Sequence, residues 1–184
     1  GNEFFGGKLE EDWAFRRKLF NKNVDIVLPP NMPQIYVLIG LPGAGKDTWI
    51  KQINLNNKCE VLCRDDIRAE LGFCKEGEKV ICSAENENKV SEIFNERLVD
   101  YVKNGKSVII NNLNTKKKYR DGYKELLKNY TVKWIYVYIE AKSLSFNLNR
   151  RPTFTEEIFD GIINKFEFPY AEEYDMLFMS QNSD

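Results

Sequence analysis

The sequence predicts an α/β fold in which helices flank a mostly parallel central sheet of four or five strands. Three observations predict it. From Gln34 onward, short apolar runs alternate with longer amphipathic stretches, and strands separated by helices imply parallel pairing through crossovers. A glycine-rich turn, Gly40-Leu41-Pro42-Gly43-Ala44-Gly45-Lys46-Asp47-Thr48, joins the first apolar run to the first amphipathic one. The 184 residues are 42% hydrophobic and 30% charged, enough for one domain with a real core and too apolar for wholesale disorder.

Taken in order, Leu9 to Phe20 is a charged helix candidate carrying Trp13, Phe15 and Phe20, and Asp25 to Leu28 is extended. Pro29-Pro30-Asn31-Met32-Pro33 interrupts regular structure. Residues 1–33 therefore read as an N-terminal extension packed on a main domain of residues 34–184. Ile35–Ile39 is a buried strand, and a helix runs from the glycine-rich turn to about Asn54. Glu60 to Cys63 is a second short strand, followed by a short helix from Asp66 to Leu71. A longer helix spans Ala84 to Lys103 and ends at Asn104-Gly105, a left-handed cap. Ser107 to Ile110 is the third strand and Lys116 to Leu127 the next helix. Val132 to Ile139 is the fourth strand, with Trp134, Tyr136 and Tyr138 on one face. Leu144–Arg150 and Glu156–Phe166 are helical by apolar spacing.

Strand, glycine-rich turn and helix together are the context of a phosphate-binding loop. The glycines let backbone N–H groups converge on an anion over the helix N-terminus, and Lys46 would reach the β- and γ-phosphates of a nucleoside triphosphate. The template places Ser or Thr directly after the lysine to hold Mg²⁺; here Asp47 stands in that slot and Thr48 follows. A carboxylate beside phosphate oxygens repels them unless a cation intervenes. Asp47 therefore either touches Mg²⁺ or one of its waters, or turns away. Adenylate-kinase-like loops also carry a non-hydroxyl residue in this slot, with threonine next.

Ligands of open parallel sheets gather at the carboxyl ends of the strands, which selects three further groups. Arg64-Asp65-Asp66-Ile67-Arg68 follows the second strand. Asp65 there either accepts a proton from an attacking hydroxyl or caps the short helix, a task Asp66 could also perform. Arg68, three residues on, would pair with a phosphate on the acceptor. The third strand ends in Asn111-Asn112-Leu113-Asn114, where many triphosphate-hydrolysing proteins carry an acid that holds Mg²⁺. Asp47, Thr48 and water must then do more of that work. Lys116-Lys117-Lys118-Tyr119-Arg120 is either solvated surface or the lining of a polynucleotide path. Arg150-Arg151 sits at a helix end, where arginines either meet the helix dipole or close over phosphates.

Composition excludes other classes. The formal net charge is −1 and histidine is absent, which removes histidine-based metal sites and Ser-His or Cys-His catalysis. Near-neutral charge also argues against a broad duplex-gripping face, so any nucleic-acid contact is local, as for a strand end in a pocket. Cys59, Cys63, Cys74 and Cys82 fit neither zinc spacing nor a disulfide framework. No run reaches the length of a membrane span and no secretory leader is evident, so a cytoplasmic protein is expected. Gly1 in the place of Met is expected of a processed or tagged chain.

Taken jointly, these residues resemble the 5′-kinase module of polynucleotide kinases, as in bacteriophages and bacterial RNA-repair enzymes, within the AAA_33-like ATP-binding group of phosphate-loop kinases. Four motifs carry the likeness: Gly40–Thr48, Arg64–Arg68, Asn112-Leu113-Asn114 with its basic helix, and Asn147-x-x-Arg150. It covers roughly Gln34 to Asp175, and Phe166 to Asp175 is similar to tails in the wider group, seryl-tRNA kinases included. The resemblance implies a phosphate-loop kinase fold using ATP and Mg²⁺. It implies Lys46 as phosphate clamp, Asp65 as general base on a ribose 5′-hydroxyl, Arg68 on the acceptor's 3′-phosphate and Arg150 as lid arginine. Phe146 departs from the pattern where the family often has arginine, and Arg151 to Thr155 is short. The expected acceptor is a 5′-hydroxyl end of RNA or DNA. The alternatives are a nucleoside, a small hydroxyl compound or an aminoacyl-tRNA as acceptor, or an ATP-binding module without turnover.

Overall fold

The computed structural model of the chain describes residues 32–73, 82–141, 143–151 and 154–182. The expected Leu9–Phe20 helix, the Asp25–Leu28 stretch, most of the proline-rich connector and Cys74 lie outside the described residues. The elements are β1 (Gln34–Ile39), α1 (Lys46–Ile53), β2 (Cys59–Leu62), α2 (Arg64–Glu70), α3 (Ala84–Lys103), β3 (Ser107–Ile110), α4 (Lys117–Leu126), β4 (Lys133–Ala141), α5 (Leu144–Arg150), α6 (Glu156–Asn164), a 3₁₀ turn (Ala171–Glu173) and β5 (Met176–Asn182).

Five parallel strands form one sheet in the order β2-β3-β1-β4-β5. Ile35 of β1 pairs with Val108 of β3 on one side and with Trp134 of β4 on the other. β1 is thus central and buried along its whole length, which is why its sequence is apolar without alternation. Strand order reverses beside β1, so the turn that leaves it opens into the crevice where such sheets bind ligands.

Two apolar layers sandwich the sheet. Ile35, Val37 and Ile39 pack with Val90, Phe94, Leu98 and Val102 of α3 and with Tyr123 of α4. The four α3 residues recur every fourth position, one stripe of a helix. Leu38 and Tyr36 face the other way, onto Trp49 and Ile53 of α1 with Ile135, Val137 and Phe178. Ser83 starts α3 by accepting a hydrogen bond from Asn86 N at 3.2 Å, and Gly105 ends it with φ 75°, as a left-handed cap requires. β4 keeps Trp134, Tyr136 and Tyr138 on one face, as its alternation indicated. No helix among the described residues is long and apolar enough to cross a membrane.

The fifth strand falls where the sequence reading placed no element, and element ends shift by one or two residues; two features differ in kind. The helix after β2 begins at Arg64 rather than Asp66 and its N-cap is Cys63, so neither aspartate caps it. Arg120 is neither solvated surface nor path lining. It is fully buried, with Nε donating to Glu173 Oε1 at 2.8 Å and Nη1 to the Asn114 carbonyl at 2.9 Å. Glu173 Oε2 also accepts from Tyr170 N at 2.7 Å. This pair locks the segment after α6 onto α4, and the Tyr138, Phe166 and Phe168 rings pack together above it. β5 follows directly.

A buried pair that loses one partner leaves an uncompensated charge. Glu173→Ala should therefore cost about 3–5 kcal/mol in urea unfolding. A loss below about 1 kcal/mol, the range of exposed pairs, would show that Arg120 finds water or another acceptor.

Candidate active site

The turn after β1 takes its shape from its glycines. A Cβ on Gly40 would sit 2.7 Å from the Ile139 carbonyl oxygen of β4, and the Gly40 N–H donates to the Leu113 carbonyl at 3.1 Å. The turn is thereby fixed between β4 and the segment after β3. Gly43 and Gly45 take φ of 74° and 106°, a region open to glycine and strained for other residues. Gly45 is the N-cap of α1 and has no side chain to satisfy the first N–H groups, so these are available to an anion. Ala44 is buried, with its N–H on the Leu41 carbonyl.

Lys46 folds its Nζ onto the turn's own carbonyls, Gly40 at 3.1 Å and Leu41 at 3.0 Å. Burial holds this ammonium down to about 8, against which Asp47 pulls upward, Arg151 pushes further down, and Cys63 and Asp65 pull upward.

Asp47 is exposed in the first turn of α1 and accepts from Asn111 Nδ2 through Oδ1 at 2.9 Å. Thr48 Oγ1 accepts from Arg150 Nη2 at 3.3 Å. The helix bearing Arg150 is tied to the turn: the Asn147 side chain, nearly buried, donates to the Pro42 carbonyl at 2.9 Å. A Cβ on Gly43 would lie 2.8 Å from the Asn147 carbonyl oxygen and 3.2 Å from Arg151 Cγ. Arg151 therefore runs directly over the turn, the second of the two placements that the Arg150-Arg151 pair allowed.

On the other side, Asp65 stands in the first turn of α2 with its side chain 83% exposed. Arg68 reaches back to it at 2.5 Å and grips Glu87 with Nε at 2.7 Å and Nη2 at 3.0 Å. Arg64 joins Glu87 at 2.9 Å and Ser91 at 3.0 Å. Two arginines push the Glu87 carboxyl down to about 2. Glu87 was not legible in sequence, because its partners lie across a helix–helix contact. The Arg64 N–H donates to Asn112 Oδ1, Asn112 donates to Tyr123 Oη, and Tyr123 donates to Asn114 Oδ1. The asparagines after β3 are thus a scaffold under α2, with Asn114 held in the left-handed region at φ 53°. The basic run divides: Arg120 is internal, Lys117 pairs with Asp121 at 2.6 Å, and Lys116 lines a groove of about 390 Å³ with Asn164, Lys165, Phe166 and Glu167.

The family described as AAA domain, AAA_33, matches residues 35–151. No curated protein sequence matches the chain. Among solved structures, the Pnkp1/Rnl/Hen1 RNA repair complex is similar at TM-score 0.62 and 17% identity, over 74% of this chain and 45% of that one. A gluconokinase from Sinorhizobium meliloti 1021 is similar at TM-score 0.56 and 16% identity, over 84% of this chain and 85% of that one. The APS kinase of Mycobacterium tuberculosis, in complex with AMPPNP and APS, is similar at TM-score 0.54 and 14% identity, over 82% and 90%. At these identities the likeness is one of fold, the α/β fold of phosphate-loop kinases.

Burial of the Lys46 ammonium gives a stability signature. Below about pH 8 the lysine is charged in both folded and unfolded chains. Between about 8 and the ordinary 10.5 the unfolded chain binds the extra proton, so this residue's contribution to stability rises with pH across that window. The difference in unfolding free energy between the native chain and Lys46→Met should shift in favour of the native chain over that range. A flat difference would mean that the ammonium is solvated.

Proposed function

The chain belongs to the AAA_33 family of AAA domains, and from that premise we propose that it is an ATP- and Mg²⁺-dependent kinase of 5′-hydroxyl ends of RNA or DNA. The observation that carries this reading is the phosphate turn with Lys46 folded onto its carbonyls, joined by Asp65, an exposed carboxylate in the first turn of the helix that follows β2.

In the proposed reaction the 5′-hydroxyl oxygen attacks the γ-phosphorus while Asp65 takes its proton. The bond from the γ-phosphorus to the bridging oxygen breaks, and ADP leaves. Lys46 exchanges its carbonyl partners for β- and γ-phosphate oxygens, and Arg150 offsets the charge that builds on the transferring group. The α1 N–H groups hold the phosphates in line, so most of the acceleration comes from positioning and charge. Arg68, anchored by Glu87, orients Asp65 and presents a cation beside the acceptor. The hard oxygens of Asp47 and Thr48, adjacent at the start of α1, fit Mg²⁺. When bound, the ion would neutralise phosphate charge.

Exposure of Asp65 suits an acceptor that arrives as the end of a long chain, and the fold shared with an RNA repair complex supports that class. The same fold occurs in a gluconokinase and an APS kinase, so small hydroxyl acceptors are the competing reading.

Transfer of labelled γ-phosphate to 5′-hydroxyl oligonucleotides should far exceed transfer to nucleosides or gluconate. Failure with every RNA and DNA oligonucleotide would discard the polynucleotide acceptor. Asp65→Asn should reduce transfer by about 10²–10⁴-fold, the range for a lost general base, with ATP affinity little changed. Wild-type rates in that variant would remove its role.

A further inference from the structure

Nucleotide-binding turns of this kind hold their cation with a hydroxyl directly after the lysine and an acid at a strand end. Here both positions are changed, and the two side chains now in them touch. Asp47 occupies the hydroxyl slot, Asn111 stands immediately after β3, and Asn111 Nδ2 donates to Asp47 Oδ1 at 2.9 Å. We infer that these residues form an exchanged cation site, in which Asp47 is the direct ligand and Asn111 is a positioning residue that orients its carboxylate. This rests on the kinase reading and says how that site holds its metal.

The site's formal charge is one negative unit, as with the usual pair, but the acid has moved from strand to helix. The exchange explains why position 111 is neutral. A carboxylate there would face Asp47 at hydrogen-bond distance, and two such groups oppose each other's ionisation. An amide instead donates to one carboxylate oxygen and leaves the other to a cation. Both residues stand on rigid parts of the fold. The Asn111 N–H is fixed to the Leu62 carbonyl of β2 at 2.8 Å, and α1 is anchored by buried Trp49. A simpler role for Asp47, offsetting the dipole of α1, would stabilise the helix without bearing on metal.

Affinity for a non-hydrolysable ATP analogue, measured calorimetrically with Mn²⁺ and again with EDTA, separates these roles. The readout is the gain in affinity that Mn²⁺ brings. Asp47→Ser and Asp47→Asn should cut that gain at least about tenfold while leaving affinity in EDTA equal or better, and Asn111→Ala should cut it by less. The double change Asp47→Ser with Asn111→Asp restores the common arrangement and should recover the gain to within about threefold of wild type. An unchanged gain in Asp47→Ser, or a native-like circular dichroism spectrum in a double variant no better than Asp47→Ser, would overturn the exchange. Loss of thermal stability in Asp47→Ser with the gain intact would assign Asp47 to the helix dipole and overturn it equally. Those results leave the kinase reading standing, whereas a wild-type chain that binds no analogue with or without Mn²⁺ brings down both.

Discussion

The molecule is organised around one positive charge, the part-buried ammonium of Lys46 in the turn after β1. An ammonium removed from water is penalised unless oxygens replace its hydration, and Lys46 finds them in the carbonyls of Gly40 and Leu41. Those carbonyls point inward only because the turn bends through left-handed glycines at 43 and 45 and because Gly40 lies close against β4. Replacement is incomplete, and burial pulls the lysine to about 8. A triphosphate entering the turn offers stronger acceptors than neutral carbonyls do. The structure thus stores a solvation deficit at the place where an anion would relieve it.

The surrounding elements set up a field of alternating sign about that charge. Arg151 lies over Gly43, Arg150 touches Thr48, Asp47 stands in the first turn of α1, and Asp65 in the first turn of α2. None of the four would hold its place as an isolated surface residue. Asn147 anchors the arginine helix through the Pro42 carbonyl. Glu87 holds Arg68, and Arg68 holds Asp65. Each of these groups is held by a second group behind it, the prior positioning that the proposed transfer requires.

What was legible in the sequence follows from how local each signal is. The phosphate turn announces itself within nine residues, and the α3 stripe from Val90 to Val102 and the Asn104-Gly105 cap are equally self-contained. The fold class followed from the alternation of such segments. The start of α2 was misplaced because aspartates are common caps, yet here Cys63 takes the extended cap conformation and the helix begins at once. Among the sites, Lys46, Asp47, Thr48 and Arg150 do come together. Arg120 was misread because a lysine-rich neighbourhood masks one arginine whose partner, Glu173, stands 53 residues on. Glu87 escaped for the same reason: its meaning lies entirely in contacts between elements.

The division between turn and acceptor side also explains why one architecture serves several kinases. On the proposed reading, the groups that handle the phosphates stand on the turn after β1, on α1 and on α5, and the glycine geometry of that turn sets their places. The proposed acceptor side stands on α2, α3 and the segment after β3, held by ion pairs and amide hydrogen bonds that are partly exposed. Such contacts contribute little to stability individually, so substitution there alters what approaches Asp65 without threatening the sheet. In this chain Arg68, held by Glu87, meets Asp65 from its own helix, and the carboxylate is otherwise open to solvent. On the proposed reading, the residues of α2 and α3 that hold Asp65, rather than the phosphate turn, govern the choice of acceptor.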